Sequence, residues 1–428
     1  MEFHMLHPAD QLVMIMNRIY NYGMTTISGG NLSIMDSDGV MWITPAGVDK
    51  GSLKREDIMQ VLPDGTIKGI HRPSSEYPFH SSVYRARPDI KAILHAHPPS
   101  LVALSLVRVL PNMRLIPNAA IVCGEVSMAK YALPGSDELG ENIAKEFRKG
   151  VNTVMLENHG VVLGADSLFK AFTMFETLDF SARLEIRARR LGEVHSLTDH
   201  HLAIYRQKSK VSLEEFTPGP RSSKELALRR DMCAYLQRGY HNQLFTSGQG
   251  TYSAKLDDRS FIITPYDKDR AYLQPEDLVL IRDGKREAGK IPSRSVTLHK
   301  DIYEKHPELE AVVIAHPPNI MAFAVTSEEF DARLIPESYI MLKTVKKLPF
   351  GSSVLQPAMV ADELSIKNPV LIIENDCVII GGTNLLNALD RLEVMEYSAK
   401  SVIYSRDIGE IVTISPEEVR DIEVAFKL

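Results

Sequence analysis

The sequence predicts an α/β protein written as two tandem copies of one unit. Three observations carry that prediction. Phrases recur at a nearly constant offset, short β-branched runs alternate with stretches of helical periodicity, and a polar Pro-Gly-Pro segment separates the halves.

The recurrence is clearest in "AILHAHPPS" (92–100) and "VVIAHPPNI" (312–320), where His97-Pro98-Pro99 matches His316-Pro317-Pro318 at an offset of 219. "LPDGTIKGIHRPSSEYPFH" (62–80) aligns with "IRDGKREAGKIPSRSVTLH" (281–299) at the same offset, and "WITPAGVDK" (42–50) with "FIITPYDKD" (261–269) within a residue. "ISGGNLS" (27–33) faces "TSGQGTY" (246–252), and "VMLENHGVVLGADSLFKA" (154–171) faces "LIIENDCVIIGGTNLLNA" (371–388). Copies of about 200 residues are large enough to bury separate cores, so they read as domains and not as a solenoid. The expected domains are 1–212 and 221–428, joined through "QKSKVSLEEFTPGPRSSKE" (207–225).

Within the first copy, "ADQLVMIMNRIYNYG" has apolar residues at helical spacing and stops at Gly23. "MWIT", "AAIV" and "NTVMLE" are short apolar runs bounded by Gly, Pro or Asn, and read as strands. "SLFKAFTMFETLDFSARLEIRARRLG" reads as a long closing helix behind the capping candidate Ser167.

Composition narrows the function classes. A net charge of −6 does not favour a nucleic-acid partner. No apolar run approaches a membrane span, and "MEFHMLHPADQLVMIM" does not read as a signal peptide. Cys123, Cys233 and Cys377 are scattered outside any CxxC spacing. A cytoplasmic protein with buried thiols is expected.

The chemistry concentrates in the first copy. His95 and His97 are two apart, so on a strand both imidazoles share a face. His159, in "LENHGV", offers a third nitrogen from a second strand-like run. Three ligands with an open position suit a catalytic metal. Glu76, in "RPSSEYPFH", is the candidate base, with burial expected to raise its pKa toward neutrality. The turns "SGGN" (28–31) and "TPAG" (44–47) can cradle a phosphate with backbone amides, helped by Ser28, Asn31, Thr44, Ser74 and Ser75.

The ordered set "SGGNLS…ITPAG…PSSE…HAHP…LENHG" resembles the class II aldolase/adducin family, over nearly all of residues 8–200. That family includes fuculose-phosphate and rhamnulose-phosphate aldolases and ribulose-phosphate 4-epimerase. The resemblance implies αβα-sandwich domains around a largely antiparallel sheet, with helices on both faces. It implies a catalytic Zn2+, or another divalent metal, held by His95, His97 and His159, with Glu76 as acid/base, and the single full ligand set makes one metal per chain the expectation. It further implies a phosphate site of Ser28, Asn31, Thr44, Gly47, Ser74 and Ser75. Active sites in the family lie at subunit interfaces of a four-fold ring. A homodimer of duplicated chains would imitate that ring, with a tetramer of chains as the competing assembly.

The chain departs from the family pattern at Met35, where an Arg or similar residue is usual, and at Asn118, near the place of a tyrosine acid. Tyr131 matches the "YA" motif, with packing as its other role. In the second copy the ligand positions read Ile314, His316 and Asp376, and the base position reads Ser295. "SGGN" becomes "SGQG", removing the amide at the Asn31 position. That copy is expected to keep the fold and lose the chemistry. Because His80 has a counterpart, His299, where the site is gone, its expected role is a structural hydrogen bond. The expected activity is retro-aldol cleavage of a sugar phosphate to dihydroxyacetone phosphate and an aldehyde. The alternatives are an epimerase or dehydratase using the same site, or a non-catalytic adducin-like interaction module.

Overall fold

A computed structural model of the chain describes residues 3–207 and 212–428; positions 208–211 of the expected linker lie outside them. Contacts divide the chain into two compact units, Met1–Met113 with Asn118–Arg183, and Arg114–Pro117 with Leu184–Leu428.

The first unit is built on eight strands. They are β1 (Asn31–Met35), β2 (Met41–Ile43), β3 (Met59–Val61), β4 (Ile67–Lys68), β5 (Ala92–Ala96), β6 (Val126–Ala129), β7 (Thr153–Leu156) and β8 (Val161–Ala165). Their order in the sheet is β4-β3-β2-β1-β5-β8-β7-β6. Every pairing is antiparallel except β6 with β7.

Strand period assigns the two faces. Ala92, Leu94 and Ala96 of β5 join Leu12, Ile15 and Ile19 of α1 (Pro8–Asn21) in one cluster. Ile93 turns the other way and packs with Phe79 and Val83 of α2 (Tyr77–Ala86). A sheet with apolar residues on both faces needs helices on both, and the layers are αβα. Helix α1 stops as expected, with Gly23 at φ +66 beyond its last turn.

One expected strand is a helix. "AAIV" lies within Pro117–Cys123, where Pro117 supplies the fixed φ of a first helical residue. A short apolar run without alternation fits either structure, and the proline decides it.

The second unit repeats the plan with β9 (Glu215–Phe216), β10 (Thr251–Asp257), β11 (Ser260–Ile263), β12 (Val279–Arg282), β13 (Lys285–Glu287), β14 (Ala311–Ala315), β15 (Val345–Leu348), β16 (Val370–Ile373) and β17 (Cys377–Gly382). The order is β15-β16-β17-β14-β10-β11-β12-β13-β9. This is the first sheet's order with one strand added. The extra strand, β9, comes from the expected linker and pairs in parallel with β13.

The ladders also correct the alignment of the copies. Asn31 faces His95, and Thr251 faces Ile314, so Thr251 is the counterpart of Asn31 at an offset of 220. Gly250, at φ +84, then matches Gly30, at φ +71. The amide is still lost, and a hydroxyl replaces it.

Candidate metal centre

Strand β5 carries His95 in its penultimate position and delivers His97 just beyond its end. His159 does not sit on a strand. It lies in the tight turn between β7 and β8, where Asn158 takes φ +55 and the Leu156 amide donates to the Gly160 carbonyl at 2.8 Å. Gly160 has to be glycine, since a Cβ there would come within 2.5 Å of the Ala96 carbonyl oxygen and 2.6 Å of the His97 ring. Gly30 is required as well, because a Cβ would approach the His95 carbonyl oxygen to 2.8 Å in a left-handed conformation. Bare backbone is what lets the two turns close on the histidines.

The three imidazoles converge. One nitrogen from each lies within 4.8 Å of the others, the only such group of three metal-ligating side chains among the described residues. His95 Nδ1 is 3.0 Å from the Val161 carbonyl oxygen, to which it can only donate. That bond fixes the tautomer and leaves Nε2 bare, facing His97 Nε2 at 2.9 Å. Burial, then the neighbouring rings, lowers the pKa of His97 to about 3; burial first, then His95, lowers His159 to about 4. Neutral imidazoles are the ligating form, and the cluster could hold a divalent metal.

Glu76 stands at the N-terminus of α2, held by the turn that precedes it. Its Oε2 lies 3.3 Å from His95 Nε2, and its Oε1 lies 3.7 Å from His159 Nε2. Asn31 Nδ2 donates to Oε2 at 2.8 Å, while Oε1 is buried and accepts no hydrogen bond. A buried carboxylate oxygen with no donor, 3.7 Å from His159 Nε2 at the edge of the histidine cluster, fits a cation held there. The expected rise in the Glu76 pKa does not occur. Burial pushes it up, but His95, then His159 and the Asn31 amide, hold it below the usual carboxylate range.

Behind Asn31 runs a buried polar chain. His80 Nε2 meets Asn31 Oδ1, His80 Nδ1 meets Ser33 Oγ at 2.7 Å, and Ser33 Oγ meets Tyr84 Oη at 2.7 Å. Burial lowers the His80 pKa to about 3, so the ring is neutral. His80 has the structural role expected of it, and its hydrogen bond ends on the residue that holds Glu76.

The expected phosphate residues are brought to three adjoining turns. Ser74 N donates to the Thr44 carbonyl at 3.1 Å, Ala46 N to Arg72 O at 2.9 Å, and Lys50 N to Ile27 O at 2.9 Å. Ser28, Gly47 and Ser75 are exposed on these turns. Thr44 is buried, with Oγ1 accepting from the Leu32 amide at 3.1 Å, and Ser74 Oγ accepts from the Glu76 amide at 3.3 Å. Asn31 is buried against Glu76 and His80, which places its amide beside the metal cluster. Tyr131 is exposed, and its backbone amide donates to Glu157 at 3.1 Å.

The sequence reading passed over Lys50, the last residue of "WITPAGVDK". The available signal was a cation at the end of a glycine turn, echoed one residue later by Arg270.

The second unit keeps the scaffold and replaces the chemistry. Ser253 meets His299 Nδ1 at 2.6 Å and Tyr303 Oη at 2.7 Å, as Ser33 meets His80 and Tyr84. Ile314, in the place of His95, joins an apolar cluster with Val312, Val296 and Ile379. Thr251 Oγ1 and Ser295 Oγ both meet Ser293 Oγ, at 2.8 and 3.0 Å, where the first unit has Asn31 and Glu76. Asp376 accepts from Ser353 Oγ at 2.8 Å.

A sequence profile described as Class II Aldolase and Adducin N-terminal domain matches residues 10–186 and again residues 230–403, most of the chain. The 5-deoxy-D-ribulose 1-phosphate aldolase of Bacillus thuringiensis serovar kurstaki is 31% identical over 45% of this chain and 91% of its own length. The 3-oxo-tetronate 4-phosphate decarboxylase of Pectobacterium atrosepticum is 34% identical over 41% and 81%. The L-fuculose phosphate aldolase of Methanocaldococcus jannaschii is 34% identical over 41% and 94%. A solved L-fuculose 1-phosphate aldolase shares 33% identity over 48% of this chain and 98% of its own, with a TM-score of 0.43. No helix among the described residues is long and apolar enough to cross a membrane.

Proposed function

The chain belongs to the class II aldolase and adducin family, and from that premise we propose that it is a zinc-dependent lyase acting on a phosphorylated ketose. The products are dihydroxyacetone phosphate and an aldehyde. The observation that carries this reading is the unpartnered, buried Oε1 of Glu76 beside three converging imidazoles. An adducin-like scaffold has no use for that arrangement.

Three nitrogen ligands and an adjacent carboxylate suit Zn2+. A bound cation supplies a Lewis acid for the substrate's carbonyl oxygen and neighbouring hydroxyl. His95, His97 and His159 would hold it, with the His95 ring oriented by the Val161 carbonyl. Glu76 moves the proton at the carbon beside the carbonyl, with Asn31 and His80 fixing its direction. Ser28, Gly47 and Ser75, with Thr44 and Ser74 behind them, hold the phosphate. Asn31 acts at the carbonyl end, beside the carboxylate it already touches.

The test is a screen of phosphorylated ketoses for aldehyde release by zinc-loaded protein. A second reading is supported by the relatives named as decarboxylases. There the departing group is carbon dioxide, from a phosphorylated 3-oxo acid. Gas release without aldehyde would favour it.

We keep 1–212 and 221–428 as the boundaries of the two domains, and a cytoplasmic homodimer as the working form. The family's sites need neighbouring subunits, and two duplicated chains supply four domains. Light scattering near 96 kDa, twice 47.9 kDa, supports the dimer, and about 192 kDa supports the tetramer instead.

A further inference from the structure

Lys50 is the one feature of the phosphate turns that their glycines and hydroxyls do not explain. Its side chain is buried, at 2% exposure for the residue. Its amide donates to Ile27 O, in the turn that carries Ser28, and its Nζ donates to Pro45 O, in the turn that carries Gly47. One residue therefore ties together two of the three turns.

What Lys50 lacks is a counter-charge. Among the described residues no carboxylate pairs with it, and Pro45 O is the sole acceptor its ammonium meets. An ammonium carries three donors, so two stay unmet. Burying such a group without a partner is costly. Burial alone lowers its pKa, to about 8, and no neighbouring carboxylate opposes the fall.

The second unit supplies the control. Arg270 occupies the equivalent place, its amide bonded to Ser247 O as that of Lys50 is to Ile27 O. It is also buried, but its guanidinium donates to Gly250 O at 2.9 Å and to Lys268 O at 2.5 Å. Asp269 and Asp267 add compensating charge. In the copy without the histidine cluster the buried cation meets two carbonyls and the charge of two aspartates, whereas in the copy with it the cation meets one carbonyl and, among the described residues, no carboxylate.

We propose that Lys50 is a substrate-binding residue whose ammonium takes the dianionic phosphate of the substrate between the Ser28 and Gly47 turns. The assignment rests on the reading of those turns as the phosphate site. It adds a buried, full positive charge to the hydroxyls and amides of the turns. It also explains why a lysine stands there, since a compact ammonium acts as a point charge at a phosphate.

The test uses the full-length, metal-loaded protein with inorganic phosphate as the probe. Phosphate should raise the melting temperature of the native protein and bind it measurably by calorimetry. Lys50→Met should keep its metal, melt no lower than the native protein without phosphate, and bind phosphate about tenfold to a hundredfold more weakly. Lys50→Arg should retain most of the affinity. A Lys50→Met protein that melts lower yet binds phosphate as tightly as the native one would make Lys50 a clamp between turns, and would overturn the assignment. Should the native protein itself fail to bind phosphate, the phosphate reading falls, and this inference with it.

Discussion

Asn31 Nδ2 donates to Glu76 Oε2 at 2.8 Å, and this bond sets the orientation of the carboxylate between His95 and His159. Oε2 is held by the amide, while Oε1 stays bare beside His159. Glu76→Gln keeps the shape, but places an amide group where a carboxylate served as base. Metal content should persist and turnover should fall by about a hundredfold to ten-thousandfold. Near-native turnover in that variant would move the base elsewhere.

The cluster of His95, His97 and His159 predicts one divalent metal per chain. His97→Ala removes a ligand from a site of three, and elemental analysis should find the metal gone. His316→Ala should leave the content unchanged, because Ile314 packs in the core and Asp376 is engaged by Ser353. Two equivalents in the native protein would show that the second domain kept a site.

How far the sequence revealed this depends on how local each signal is. His95 and His97 were legible because a strand's two-residue period places them on one face, and β5 delivers both. Glu76 was legible as a base, but its pKa was not. Which of burial and neighbouring donors wins depends on Asn31, 45 residues away in the chain, and on His95 and His159. "AAIV" was misread because four apolar residues fit a strand or a helix equally well, and Pro117 settled the matter. The one-residue slip between Asn31 and Thr251 appears only in the ladder register. Lys50 was invisible for a similar reason, since a lysine after a turn reads as solvated until its burial is known.

His80 and His299 offer an internal comparison. Each is buried and hydrogen-bonded to a serine, but His80 alone meets a residue that touches the candidate base. Replacing either by Phe leaves that serine short of a partner and should cost roughly 1–3 kcal/mol of stability. His80→Phe should also lower kcat with little change in KM, because Glu76 loses its support. His299→Phe should leave both constants unchanged. Equal kinetic losses in the two variants, measured under conditions where both remain folded, would make His80 a purely structural residue.

Lys50 makes stability depend on pH in a direction that can be worked out. Burial lowers its pKa from 10.5 to about 8 in the folded chain. Below pH 8 both states hold the proton, and the fold carries a buried charge. Between pH 8 and 10.5 the unfolded chain still binds the proton while the folded chain has released it. The unfolded state then binds more protons, so this residue makes stability rise with pH across that window. The shift corresponds to about 3 kcal/mol as an upper figure. Lys50→Met has no such proton to release. Without phosphate it should be more stable than the native protein at pH 7, and the difference should close between pH 8 and 10.5. Measuring both proteins in parallel subtracts the tyrosines and other lysines that titrate in the same range. A difference that stays flat across the window would mean that Lys50 reaches solvent or a counter-ion in the folded protein, and that its charge is not held in reserve for a ligand.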